Sequence, residues 1–441
     1  MTSAPRIVII GETFRSNGGG GITMMNLFKE WPSDKLAVIT ELVSESSPEY
    51  HCTKYYQIGH LEKRIPIFLR ILKNKKISGE RTLNNFANMI SPDNNSSSGL
   101  RRTLRSIYHM FVRILGLNHI INRTVLSDNL VEWVKAYNPE VIYHQPFRFS
   151  DMSLAFQLKS LTKLPLVLHV MDDIVSFINK PNLLYPYWQQ KIKRQFKTLV
   201  NVSSVCLSIS DSMSDEYQNR YNKTFLAFRN PVDFERWSKF QKSTWQISHP
   251  AKIIYTGRLV PPNVSSLLLI CRTVSSLRSK GNNIILDIYS LDDYHYFSKR
   301  IKSLSGINLK RPVSYDKIPL LLAQYDIAIL PIDFNKRGIR FAKFSISTKT
   351  SEYLASGVPV LLLTPAGTAL DDYGKKTQSM LVVNEKRINQ IEGKLMELIN
   401  DESLRKKLAR NAIDAASKDS DAEVIRNRFS YIINSALSNV E

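Results

Sequence analysis

The sequence predicts an α/β protein made of two doubly wound, Rossmann-like arrays in tandem. Three observations predict it. The chain has 441 residues, more than one core of ordinary size organises, so two domains of about 200 residues each are expected. Short continuous apolar runs, the pattern of parallel strands covered on both faces, alternate with amphipathic stretches. That alternation pauses near residues 235 to 250 and restarts at Ala251.

The first array opens with the strand RIVII (6–10), which leads into GETFRSNGGGGITMMNLFKEW. Here four consecutive glycines, Gly18 to Gly21, read as a loop, and a helix follows with Met24, Leu27 and Phe28 on one face. Strand, glycine loop and helix form the opening of a βαβ unit. The runs AVIT (37–40), EVIYHQ (140–145), LPLVLHVMDD (164–173) and SVCLSIS (204–210) continue as strands. After the connector FERWSKFQKSTWQISHP, the second array reads AKIIYTGRL (251–259), NIILDIYS (283–290), YDIAILPI (325–332), VPVLLLT (358–364) and SMLVV (379–383) as strands. INQIEGKLMELINDESLRKKLARNAIDAA reads as helix.

Residues 61–125 fit neither array. They hold twelve Lys or Arg against three acids, and SPDNNSSSG (91–99) reads as a loop. In LRRTLRSIYHMFVRIL a helical period puts Leu100, Leu104, Ile107, Phe111 and Ile114 on one stripe, with Arg101, Arg102, Arg105, His109 and Arg113 opposite. One reading is an internal helix with a solvated cationic face. The sharper one is a helix lying on an anionic membrane surface, touching it through Arg101, Arg102, Arg105 and Phe111.

Charge supports an anionic partner: 60 Lys and Arg against 39 Asp and Glu give a formal net charge of +21. Nucleic acid, an acidic membrane surface and a phosphorylated substrate all satisfy it. A nucleic-acid-binding protein would interleave basic and aromatic residues along a groove; here the excess gathers beside an amphipathic helix, so no nucleic acid is expected. Three widely spaced cysteines, Cys52, Cys206 and Cys271, have no zinc or disulfide spacing and point to a reducing compartment. With no signal-peptide pattern and no apolar run near the roughly 20 residues of a membrane span, the expected location is cytoplasmic, peripheral at the inner face of the plasma membrane.

The most informative stretch is SISTKTSEYLASGVPVLLLT (345–364). It follows YDIAILPI, where ligands of doubly wound sheets bind, at the carboxyl ends of strands. A helix N-terminus there offers N–H groups to phosphate. Ser345, Ser347 and Thr348 cap and donate, Lys349 adds a point charge, and Glu352 lies one turn on, where a carboxylate takes two ribose hydroxyls. A nucleoside diphosphate needs both halves. The same residues also read as an ordinary capped helix with a surface lysine and glutamate.

STKTSEYLASGVPVL resembles the nucleotide-binding segment of GT-B glycosyltransferases, closest to the retaining group 1, family four-like enzymes of bacterial surface-polysaccharide synthesis. Other segments resemble that family in the same order. LSISDSMSDEY (207–217) is similar to a strand and helix start of the acceptor domain, HVMDD (169–173) to an acceptor-domain strand end, and RNPVDFERW (229–237) to the turn that ends that domain. YTGRL (255–259) is similar to the first donor strand, whose glycine and arginine, here Gly257 and Arg258, meet the diphosphate.

The resemblance implies an acceptor domain over 1–240 with the basic insertion at about 61–125, a donor domain over 241–418, and a C-terminal helix over 419–441 crossing back to the first. The two domains would face a central cleft. It implies hexosyl transfer from a nucleotide-diphosphate sugar to a glycan or lipid-diphosphate-linked acceptor. No metal and no cofactor beyond that co-substrate are expected. Arg258 and Lys349 would stabilise the departing diphosphate. Gly19, Gly20 and Gly21 would let backbone approach the donor phosphates, although a four-glycine run also reads as a flexible loop; without G-x-G-x-x-G and an acidic partner it does not read as an NAD site. Were the reaction inverting, His169, Asp172 or Asp173 would serve as base, though HVMDD also reads as a helix cap and His144 as a packed strand-end histidine.

Two departures stand out. Eight positions before Glu352, with seven residues between, where many members carry a glutamate near the sugar, stands Phe344. After Arg258 comes LVPPN rather than a lysine, leaving Lys343, Lys349, Arg337 or Arg340 as the second cation. A sugar-nucleotide epimerase of the same fold and an inactive scaffold are the rival readings.

Overall fold

The computed structural model describes residues 4–15, 19–41, 52–64, 77–81, 106–107, 110–117, 119, 123–177, 182–290 and 295–438. The chain divides into two compact units. One comprises Met1–Ser208, Ser214–Leu226 and Asn427–Glu441, the other Ile209–Met213 and Ala227–Arg426.

The first unit is built on an eight-stranded sheet ordered β4-β3-β2-β1-β5-β6-β7-β8. Its strands are β1 (Ile7–Ile10), β2 (Leu36–Thr40), β3 (Lys54–Gln57), β4 (Gly79–Arg81), β5 (Val141–His144), β6 (Leu166–Val170), β7 (Val205–Ser208) and β8 (Phe225–Ala227). β1 runs parallel to both β2 and β5, with Ile7 opposite Leu36 and Val141, and every residue of β1 is buried. Only helices on both faces of a parallel sheet bury a strand so completely. β4 turns back antiparallel to β3 at the edge.

On one face Phe28 sits among Phe14, Trp31, Tyr143 and Phe429, all edge-on with centroids 5.2 to 6.1 Å apart. Such pairs contribute about 0.5–1.5 kcal/mol each beyond the area they bury. Phe429 comes from the last helix, Ala422–Ser438.

The glycine run is not all loop. Gly19–Leu27 is helical, so three of the four glycines form its first turn. A Cβ on Gly20 would collide with the Glu12 carboxylate, and one on Gly21 would press on the Arg15 backbone. The glycines therefore let a helix start against the chain leaving β1, a close approach that a side chain would block.

The second unit has six strands, all parallel, ordered β11-β10-β9-β12-β13-β14. They are β9 (Ala251–Thr256), β10 (Ile284–Tyr289), β11 (Ile307–Lys310), β12 (Ile327–Pro331), β13 (Val360–Leu363) and β14 (Leu381–Val383). The strand order reverses between β9 and β12, the switch point at which such sheets open a crevice. Alternate residues feed opposite cores. Ile253, Tyr255, Leu286 and Ile329 pack with helix Val264–Ser279, while Ile254, Ala328, Leu330 and Val360 pack with Tyr353 and Leu354 of helix Thr348–Ser356.

The long C-terminal helical stretch breaks at Asp401 into Ile388–Asn400 and Glu402–Asp419, because the Asp401 carboxylate accepts from Leu404 N at 2.8 Å and caps the second. The end of the first is held by Arg405. Its buried guanidinium donates to the carbonyls of Leu398 (2.7 Å) and Ile399 (2.8 Å), and to that of Trp245 (2.7 Å). Those last-turn carbonyls have no intrahelical partner. Arg405→Met is expected to leave them unsatisfied and destabilise the protein by about 3 kcal/mol, read as a lower thermal midpoint. An unchanged midpoint would contradict this role.

Candidate functional site

The switch point of the second unit brings the segment after β9 against the start of helix Thr348–Ser356. At Gly257 the backbone adopts φ +128°, and its N–H donates to the Tyr289 carbonyl at 2.8 Å. A Cβ there would run into the Lys349 side chain. Lys349 Nζ donates to Tyr255 Oη at 2.8 Å and lies 4.4 Å from the centre of that ring. Tyr255 Oη in turn donates to the Arg258 carbonyl (2.7 Å) and accepts from Asn263 Nδ2 (3.0 Å). Asn263 Oδ1 closes the loop by accepting from Val260 N at 3.1 Å. One phenol thus fixes both the lysine and the turn carrying the exposed Arg258. From the other side Tyr353 Oη accepts from Thr256 N at 2.8 Å.

Helix Thr348–Ser356 starts at Ser347, whose side chain makes no capping bond. Ser345 and Thr350, 4% and 1% exposed, carry buried hydroxyls with no hydrogen-bond partner among the described residues. Buried hydroxyls are almost always bonded; two left over at a helix N-terminus, with its unpaired amides, suit an anion. The sequence singles out Ser345, Ser347, Thr348, Lys349 and Glu352, and all lie in this turn and the next. It misses Tyr255, Tyr353 and Asn263. Tyr255 stands among aliphatic residues in AKIIYT and Tyr353 in the polar TKTSEYLAS, and neither tyrosine nor Asn263 carries a spacing signal.

Glu352 is half-buried. Burial pushes its carboxyl up to about 7, and Lys349 pulls it back. The sign of the linkage follows. Between about 4.5 and 7 the unfolded chain loses this proton before the folded one, so ligand-free stability falls as pH rises. Glu352→Gln abolishes that term. The stability of the variant relative to the parent is expected to climb from pH 4.5 to 7 and level off above; a pH-independent difference in unfolding midpoints would refute it.

Phe344 is buried, and its carbonyl accepts from Ser210 Oγ. Lys343 lies 4.8 Å from the Phe344 ring centre. Arg337 and Arg340 are exposed on helix Lys336–Ala342. Asp333, just after β12, is buried and accepts from Ser266 N at 2.7 Å, capping helix Val264–Ser279 from across the sheet end.

In the first unit, His169 is the penultimate residue of β6. Gln145 Nε2 donates to Tyr143 Oη (2.8 Å), and the same hydroxyl is hydrogen-bonded to His169 Nδ1 (2.6 Å). Asp173 is engaged as a tie: its carboxylate accepts from Ser176 Oγ (2.6 Å) and Tyr217 Oη (2.7 Å) and pairs with Arg220. The Asp172 carbonyl accepts from Ile174 N. His144 is fully buried, with Nδ1 donating to the Ile10 carbonyl at 2.9 Å, and burial lowers its pKa to about 4. Gly19, Gly20 and Gly21 occupy the helix start described above. Arg101, Arg102 and Arg105 lie outside the described residues. Phe111 is 55% exposed, with Ile107, Met110 and Ile114 also exposed and Val112 buried. Among the described residues no helix is long and apolar enough to cross a membrane.

No sequence-family model and no curated protein sequence matches the chain. Solved structures do. Sucrose-phosphate synthase from Thermosynechococcus elongatus aligns over 98% of this chain and 99% of its own, with TM-score 0.63 and 10% identity. HepE from Anabaena, solved with UDP and glucose, aligns over 98% and 100%, with TM-score 0.58 and 12% identity. WaaG, a glycosyltransferase involved in lipopolysaccharide biosynthesis, aligns over 97% and 99%, with TM-score 0.56 and 12% identity. The fold is GT-B. At these identities the likeness reports architecture, two parallel-sheet units each with a switch point, while the side chains at the GT-B switch points are this chain's own.

Proposed function

We propose that the chain is a glycosyltransferase that moves a hexosyl group from a nucleoside-diphosphate sugar to a glycan or lipid-diphosphate-linked acceptor in bacterial polysaccharide synthesis. The observation carrying this reading is the convergence at the β9–β12 switch point. There Lys349 is held on Tyr255, the Arg258 turn is fixed by the same phenol, and Ser345 and Thr350 hydroxyls lie unbonded beside a helix N-terminus. Those groups suit a diphosphate, and Glu352 one turn on suits a ribose diol.

In the reaction the bond between sugar C1 and the phosphate oxygen breaks with its electrons going to the phosphate. The cations and amides meet that charge as it develops. The acceptor oxygen bonds to C1, and in the retaining course the departing phosphate takes its proton. Metal independence and attachment to an anionic membrane belong to the same proposal, the latter supported by the exposed Ile107, Met110, Phe111 and Ile114 beside a strongly basic stretch.

The test is a thermal-shift screen of UDP, GDP and ADP, followed by assay of labelled nucleotide sugars with and without a chelator. A shift with one nucleotide and turnover of its sugar support the reading. Absence of both shift and hydrolysis defeats it. Sedimentation with anionic vesicles tests the membrane claim separately.

A further inference from the structure

A cavity of about 410 Å³ opens in the first unit where β1 and β2 end, between the turn after β1 and helix Phe149–Thr162. Five charged residues, Glu12, Arg15, Glu41, Arg148 and Asp151, line it among apolar ones, and all but Asp151 are already matched. Arg15 pairs with Glu12. Glu41 accepts from Lys63 Nζ at 2.8 Å and Arg148 Nη1 at 2.9 Å. An incoming phosphate or carboxylate would have to break one of these pairs to gain a cation, and would meet three carboxylates. Asp151 is the exception to the pairing. It is 7% exposed, and its one hydrogen bond among the described residues is a long 3.3 Å contact from neighbouring Ser150. Phe147, 39% exposed, supplies an apolar surface on the same wall.

Carboxylates and guanidinium groups that offer acceptors and donors in balance, next to an aromatic face, match a ring that carries hydroxyls on its edge and C–H groups on its faces. Burial raises the Asp151 carboxyl to about 7, so near neutrality it is available both to donate to and to accept from a hydroxyl.

We infer that this cavity is a pocket for a neutral, polyhydroxylated sugar ring, with Asp151 and Glu41 taking its hydroxyls and Phe147 covering one face. The inference rests on the transferase reading for its role, as the place of the acceptor's terminal sugar, and narrows that acceptor to one whose terminal ring is uncharged.

The test uses the full chain and three probes: methyl α-D-glucopyranoside as a neutral ring, D-glucuronate and inorganic phosphate as anions. Saturation-transfer NMR should show the glucoside bound to the parent protein. The signal should fall at least fivefold in Thr40→Phe, which fills the cavity, and severalfold in Asp151→Asn, which keeps its shape. Asp151→Asn also stands alone should Thr40→Phe fail to fold. Transfer to glucuronate or phosphate in preference to the glucoside overturns the inference. So does absence of glucoside signal, or a signal undiminished in both variants. A thermal-shift screen of UDP, GDP and ADP run in parallel reads the second unit. Absence of every shift with glucoside binding intact removes the transferase reading only; a shift with glucoside binding absent removes the pocket only.

Discussion

Lys349→Met is expected to lower kcat/KM for sugar transfer by about 10²–10³-fold, about 3–4 kcal/mol of transition-state stabilisation. The ammonium sits on Tyr255, 2.8 Å from its hydroxyl, a contact that holds it in place. Charge on the diphosphate grows as the bond to the sugar breaks. Most of the loss should therefore fall in kcat, with a smaller rise in KM. Methionine keeps the aliphatic contact over the Tyr255 ring, which guards against a trivial folding defect. Turnover of a labelled nucleotide sugar, with the thermal midpoint alongside, measures both. Activity within a few-fold of the parent would exclude Lys349 from the reaction.

Gly257→Ala is expected to be nearly as damaging by a different route. The position holds φ +128°, a conformation costing an alanine about 1–3 kcal/mol. The added methyl also enters the volume of the Lys349 side chain. Stability should drop by several degrees in midpoint, and affinity for the nucleoside diphosphate by more than tenfold, because the lysine is driven off Tyr255. The double variant Gly257→Ala, Lys349→Ala removes the clash but not the strain. Its stability loss should be less than the sum of the single losses. Additive losses would mean that the two side chains do not share the space.

The arrays were legible in the sequence because a parallel strand covered on both faces needs a largely apolar run: β1 and β13 are wholly apolar, and β6 and β9 are broken inside only by His169 and Lys252. β4 (GER) and β11 (INLK) have none, since both lie at sheet edges and three of the four β11 residues are exposed. β3 (KYYQ) escaped because polar residues bracket its two tyrosines, and β8 (FLA) because it has only three residues. The glycine run misled because a glycine's preference for loops is a local statement, whereas its place here is set by Glu12 and Arg15 pressing on a helix start.

At the candidate site, the residues within one helical turn of Lys349 could be read from spacing. Tyr255 could not, because its hydroxyl meets Lys349 across 94 positions of chain. Asp173 likewise looks like a base in HVMDD until Tyr217 and Ser176 are seen to occupy its oxygens.

The last helix bears on how the protein comes to be folded during synthesis. Its residues from Asn427 onward belong to the unit that otherwise ends at Leu226, and its Phe429 closes the ring of aromatics around Phe28. Just before it the chain is stitched to its own earlier passage by Val232 N to the Ser420 carbonyl (2.8 Å) and Ala422 N to the Val232 carbonyl (2.9 Å). The later unit is thus delivered by the ribosome almost whole, while the earlier one lacks a wall of its core until about 200 more residues have emerged. At ordinary translation rates that delay is roughly 10–40 s, during which Phe28, Trp31 and Tyr143 are open to chaperones. Nascent chains stalled before Phe429 should be more protease-sensitive in their first 226 residues than in the following 200.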